Sequence, residues 1–147
     1  MKEFTATNPD YDKHVQMAVL SMPAARLLGF KFNYLKPGHC EIEQVTRKEL
    51  TQHNGYFQGG IIGALADFAG GSAAGTLLPP GWINMTTDFT VKLIAPADGE
   101  TLLARGRVID ASTHTTVAAA DLYAVKQGRE TLCATALVTL RNLALKG

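Results

Sequence analysis

The stretch from Gln52 to Thr76 limits what this chain can fold into more than any other. It is the longest apolar segment, wide enough for about five helical turns, and every other apolar run is shorter. Between Glu49 and Asp88 the one formal charge is Asp67. An ionised carboxylate in apolar surroundings is costly unless it is paired or put to use, so Asp67 is a candidate functional group. The competing reading is a helix Asp whose face reaches solvent. Residues 59–78 reach transmembrane length. A central Asp would cost about 2.5 to 3.5 kcal/mol on insertion scales, and no Lys/Arg cluster flanks the segment. The expectation is a buried central helix and no membrane partner.

The 147 residues are expected to form one domain over 1–147, long enough to bury a real core. Fourteen basic residues against 13 acidic ones offer no electrostatic reason to expect nucleic acid or an anionic membrane. Cys40 and Cys133 stand far apart in strand-like apolar contexts without metal-type spacing. They read as reduced core residues of a cytoplasmic protein, with a disulfide between them left open. No metal site is expected. The first ten residues carry no basic start followed by an apolar run, so no secretory leader is expected.

Asn8 and Pro9 read as a helix start, Asn8 as cap and Pro9 in the first helical position. Tyr11, Val15, Ala18, Val19 and Met22 then share one face of an amphipathic helix that Pro23 ends. A short turn of helix from Ala24 to Leu28 closes at Gly29. Phe30, Phe32 and Tyr34, then Cys40, Ile42 and Gln44, alternate with polar residues across Pro37-Gly38 and predict a β-hairpin. Thr46 to Glu49 has capping-box spacing, and His53-Asn54-Gly55 reads as a loop. The long helix is expected to begin near Gly59. No Ser, Thr or Asp stands directly before it, so its first N–H groups are open to a ligand oxygen unless Gln58 or water takes them.

From Trp82 to Ile94 the alternation is strict and predicts a strand with one buried face, Ile83, Met85, Thr87, Phe89, Val91 and Leu93. Residues 101–110, 115–125 and 131–141 follow as three more strands, and the short links imply antiparallel neighbours. The fold class is therefore α+β: an N-terminal helix and about six antiparallel strands wrapped around one long central helix. One sheet does not cover a helix apolar on most of its circumference, so a partner subunit is expected to cover the rest.

The order of elements and the residues of the central stretch resemble the hot-dog-fold acyl-CoA thioesterases, particularly the phenylacetate-pathway (PaaI-like) branch. That family carries Asn or Gln seven residues before a Gly at the helix start and an acidic residue eight after it. Gln52, Gly59 and Asp67 stand at those positions here. Leu65-Ala66-Asp67 and the run from Asp88 to Pro96 also match the family's helix and following strand. One departure is clear: the family usually has His before the paired glycines, and this chain has Gln58. Gln donates a hydrogen bond but does not titrate near neutrality.

The resemblance implies hydrolysis of a small aryl- or short- to medium-chain acyl-CoA. The Gly59 N–H would hold the oxyanion with help from Gln58, and Gln52 would orient the water or the carboxylate. Asp67 would activate a water or attack directly, and the sequence is compatible with both. Asn54, Gly60, Thr86 and Ser72 are expected to contact substrate. No cofactor is expected beyond the coenzyme A of the substrate itself. Gly59 and Asp67 are eight residues apart, roughly 12 Å along one helix, yet both must come within about 3 Å of one thioester. The expected assembly is a homodimer with shared sites, Gln52, Gln58 and Gly59 from one chain and Asp67 from the other, or a tetramer as a dimer of dimers. A non-catalytic acyl-CoA-binding protein on the same fold is the alternative, suggested by Gln58. A hot-dog hydratase is disfavoured, because no His lies between His53 and His114.

Overall fold

A computed structural model describes residues 2–146. The elements are α1 (Tyr11–Leu20), α2 (Pro23–Leu28), β1 (Lys31–Lys36), β2 (His39–Val45), a 3₁₀ turn (Lys48–Leu50), α3 (Gly59–Gly75), β3 (Trp82–Leu93), β4 (Thr101–Ala111), β5 (Thr115–Lys126) and β6 (Arg129–Ala144). The six strands form one antiparallel sheet in the order β1-β2-β4-β5-β6-β3. Helix α3 packs against β2, β4, β5, β6 and β3, so the sheet wraps around it.

Small residues make that close packing possible. Ala104, Ala118, Ala120, Ala134 and Ala136 are buried on the strands that face α3. At Gly106 a Cβ would lie 2.2 Å from the carbonyl oxygen of Ala69, so β4 touches the helix backbone where only glycine fits. Leu65 is 1% exposed in this core, and truncation to alanine at such a site typically costs about 2–5 kcal/mol. Cys40 and Cys133 are buried and unpaired. Burial pushes the Cys40 thiol up to about 12 and the Cys133 thiol to about 11, so both are inert at neutral pH.

Five local expectations need correction. Helix α1 starts at Tyr11, because the Asn8 side chain accepts the Asp10 N–H at 2.9 Å and its carbonyl accepts the Tyr11 N–H at 3.1 Å. Asn8 and Pro9 therefore make a turn ahead of the helix. On α1, Val15 and Val19 are buried while Ala18 stays exposed, as does Met22 beyond the end of the helix. Thr46 closes no capping box, since its hydroxyl donates to the Gly99 carbonyl at 2.6 Å. In β1 a bulge between Phe32 and Tyr34 turns Leu35, not Tyr34, toward the core opposite Cys40.

The fifth correction concerns β3, which has no buried face. It is an edge strand paired with β6 alone, and Met85 is 57% exposed, Phe89 46% and Leu93 58%. A bulge between Thr86 and Asp88 shifts the register. Asn84 and Thr86 thereby face α3 above the bulge, while Phe89 and Val91 face it below, beside Gly63. The alternation in the sequence alone places Asn84 and Thr86 on the outer side.

Candidate active site

The residues singled out in the sequence fall into two places on α3. The first is its N-terminus. Gln58 takes the N-cap position, and its Oε1 accepts the Ile61 N–H at 3.1 Å. The helix start is thus capped by Gln58 itself, at one donor. The Gly59 and Gly60 N–H groups have no acceptor among the described residues, and they carry the positive end of the helix dipole. At Gly60 a Cβ would sit 2.9 Å from the Gln58 Oε1, so a larger residue there would displace the capping side chain. The Gln58 Nε2 remains available as a donor beside Gly59.

Gly59 lines an open pocket of about 430 Å³ together with Gln52, Tyr56, Ile62, Leu93 and Pro96. The Gln52 Oε1 accepts the Asn54 N–H, and the Gln52 N–H donates to the Tyr56 carbonyl at 2.9 Å. That bond fixes the loop and leaves the Gln52 amide nitrogen free to donate. Asn54 is exposed on this loop and does not line the pocket, so within one chain the geometry gives it no substrate contact. His53 is likewise exposed.

The second place is the middle of α3. Asp67 is half-buried, and its Oδ1 accepts the Thr86 hydroxyl at 2.7 Å. Burial raises the Asp67 carboxyl above the usual range, and the Thr86 hydrogen bond opposes that shift. Asp67 and Thr86 line a cleft of about 330 Å³ with Phe68, Ser72, Asn84 and Met85. Ser72 is buried, and its hydroxyl has no partner among the described residues. Sequence reasoning missed Asn84, whose amide donates to the Gly71 carbonyl at 3.1 Å. The signal that hid it is the β3 bulge, which no local pattern marks.

The structure therefore brings Asp67, Thr86 and Ser72 together in one cleft and Gln52 and Gly59 together in another that shares no residue with it, while Gln58 and Gly60, adjacent at the helix start, line neither. Arg105 pairs with Glu41 and Glu130, and Arg107 with Asp121. These arginines are engaged on the sheet rather than open to phosphates. Among the described residues no three His, Cys, Asp or Glu side chains cluster as a metal centre requires. Also among them, no helix is long and apolar enough to cross a membrane.

Six antiparallel strands wrapped around one long helix, with an N-terminal helix ahead of them, make the hot-dog fold. The family model of the thioesterase superfamily matches residues 54–138. A thioesterase family protein from Silicibacter pomeroyi is 32% identical, with a TM-score of 0.89 over 91% of this chain and 98% of that one. The chain belongs to the thioesterase superfamily. A thioesterase from Haemophilus influenzae shares the fold at 22% identity, TM-score 0.80, covering 99% of this chain and 95% of that one. So does the PaaI protein of the Escherichia coli phenylacetic acid degradation operon, at 16% identity, TM-score 0.81, covering 96% and 100%. A search of curated protein sequences finds no match.

Proposed function

We propose that this protein hydrolyses acyl-CoA thioesters at sites shared across a homodimer, with residues 1–147 acting as one catalytic domain. The observation that carries the reading is the Asp67 carboxylate, raised by burial and held by Thr86 on the wall of an apolar cleft. A carboxylate of this kind is a stronger base than a solvated Asp. The free Asp67 oxygen takes a proton from water as the water oxygen attacks the thioester carbon. The carbonyl electrons move onto the oxygen, where the Gly59 N–H and the Gln58 amide hold them. Collapse breaks the C–S bond, and the leaving thiolate takes the proton, giving free acid and CoA. Gln52 orients the attacking water, and Gly60 leaves room for the capped Gln58.

The dimer follows from β3. Its outer edge is unpaired, with Met85, Phe89, Leu93 and Ile94 exposed along it. Gly59 lies beside the Leu93 end of that strand and Asp67 beside its Thr86 end. Antiparallel pairing of two β3 edges about a two-fold axis near Phe89 and Thr90 carries each Leu93 end to the other chain's Thr86 end. Asp67 then meets Gly59 of the partner subunit. Asn54, at the tip of the same loop, reaches substrate only in that arrangement. Two unpaired buried thiols suit a reducing compartment, and the cytoplasm is the compartment we assign. No cofactor enters the scheme beyond the CoA of the substrate.

The test is free-thiol release from a panel of short, medium, long and aryl acyl-CoA thioesters, with Asp67→Asn beside the unmodified protein. Turnover that falls about a hundredfold or more in the variant, with fold and oligomeric state retained, is expected. Binding of acyl-CoA without turnover on any member would leave the binding-protein reading instead. Single turnover in ¹⁸O-water separates the two roles of Asp67. General-base attack puts the label in the product acid alone, whereas direct attack by the carboxylate puts it in Asp67.

A further inference from the structure

The cleft that holds Asp67 does not end there. A second chamber, of about 270 Å³, shares Val19, Met22, Gly71, Ser72 and Asn84 with it. The two form one groove that follows α3 from Asp67 toward its C-terminus, with α1 along one side and the first residues of β3 along the other. At the far end stand His14, Gly75 and Leu78. The groove closes there because α1 comes down onto α3: a Cβ at Gly75 would lie 3.2 Å from Val15 Cγ2. The apolar face of α1 accounts for the space. Ala18 and Met22 continue the stripe of Val15 and Val19, yet both are exposed and none of the described residues fills the volume in front of them.

We propose that this groove is the acyl subsite, and that α1 acts as a ruler selecting a linear, saturated acyl chain of medium length. The inference rests on the thioesterase reading for its occupant. A thioester carbonyl held at Asp67 must send its acyl carbons somewhere, and the chamber continuous with Asp67 leads along α3. Asp67 and Gly75 are eight residues apart, about 12 Å of helix, a span that about eight to ten extended carbons fill. A single aromatic ring would occupy the first chamber and leave the second unfilled. A much longer chain would run against Val15 and Leu78. The walls are mostly carbon, so each methylene that enters adds up to about fourfold in affinity.

The test uses S-butyl-CoA and S-octyl-CoA, thioethers that cannot be hydrolysed, titrated calorimetrically into the full-length protein and into Ala18→Phe. Ala18 is exposed on the groove side of α1, so the new ring enters the second chamber without displacing core. S-octyl-CoA is expected to bind at least tenfold tighter than S-butyl-CoA, and Ala18→Phe to remove most of that preference. The ratio of kcat/KM for octanoyl-CoA over butanoyl-CoA is expected to fall in parallel. Ala18→Leu asks the same question with a smaller block if circular dichroism shows that the Phe variant does not fold. Equal affinity for the two thioethers, or a preference that survives the substitution, would overturn the ruler. If no thioester is hydrolysed but the thioether preference is present and is lost in the variant, the groove stands and the hydrolase reading falls.

Discussion

The two halves of the site differ in almost every physical respect. The N-terminus of α3 offers neutral donors, the Gly59 N–H and the Gln58 amide, beside a pocket of about 430 Å³. The Asp67 cleft offers a carboxylate that burial has made more basic, fixed by one hydroxyl in about 330 Å³. In the proposed reaction the first stabilises negative charge and the second removes a proton. Thioester hydrolysis needs both, and a helix rise of about 1.5 Å per residue keeps them apart within one chain. The contrast teaches that one chain holds the two groups at separate places, and the proposed pairing of two β3 edges is what would join them.

The strongest way to break this contrast is to neutralise the basic end. Asp67→Asn should lower kcat by about a hundredfold or more while raising Tm at neutral pH. The sign of the second effect follows from the raised carboxyl. The folded state binds more protons than the unfolded chain between the ordinary Asp value and the raised one, so stability falls as pH climbs through that window. The amide carries no such cost and still accepts the Thr86 hydroxyl. A variant both active and unchanged in Tm would remove Asp67 from the site.

Sharing between chains is tested by mixing two impaired partners. A heterodimer of Asp67→Asn with Gln58→Ala contains one intact site and one doubly damaged site, if the halves come from different chains. Activity of the mixture should recover to about half per heterodimer, well above either parent; sites within one chain would show no recovery. Gln58→Ala alone should cost roughly tenfold in kcat, less than the 10² to 10³ typical of losing an oxyanion donor, because the Gly59 N–H remains. Equal kcat in that variant would leave Gln58 as a helix cap and nothing more.

Smaller effects sharpen the picture at the Asp67 end. Thr86→Ala removes the hydrogen bond that opposes the upward shift of Asp67. The acid limb of kcat/KM should move to higher pH, with plateau activity reduced only a fewfold. A limb that moved down or stayed in place would uncouple Thr86 from the carboxylate. Ser72→Ala deletes a buried hydroxyl without a partner, so stability should hold or rise slightly, read as an unchanged or higher Tm. A loss of several degrees would mean that Ser72 has a partner in the assembled protein.

Much of this could be read before any coordinates. The single charge inside an apolar run marked Asp67, because an unpaired carboxylate there is costly enough to need a reason. The glycines at 29, 38 and 128 all adopt positive φ, as their places after a helix or in hairpin turns require. The spacing of Gln52, Gly59 and Asp67 was visible because it is a distance along one chain. The orientation of Thr86 and Asn84 was not. It depends on a bulge that exists only because β3 pairs with β6 in a particular register, and periodicity read along β3 alone assigns them to the wrong face.

By itself, the sequence determined the element order, the central helix and which residues stand at its start and its middle. Those follow from local propensity, from hydrophobic period and from the cost of burying one charge. Only the tertiary structure decided that β3 is an edge with no buried face, that Gln58 caps the helix it begins, and that α1 leaves a groove in front of Ala18 and Met22. Each of these is set by what other segments do or fail to cover. A residue's own neighbours in the chain carry no record of that, because burial is a property of the assembled surfaces.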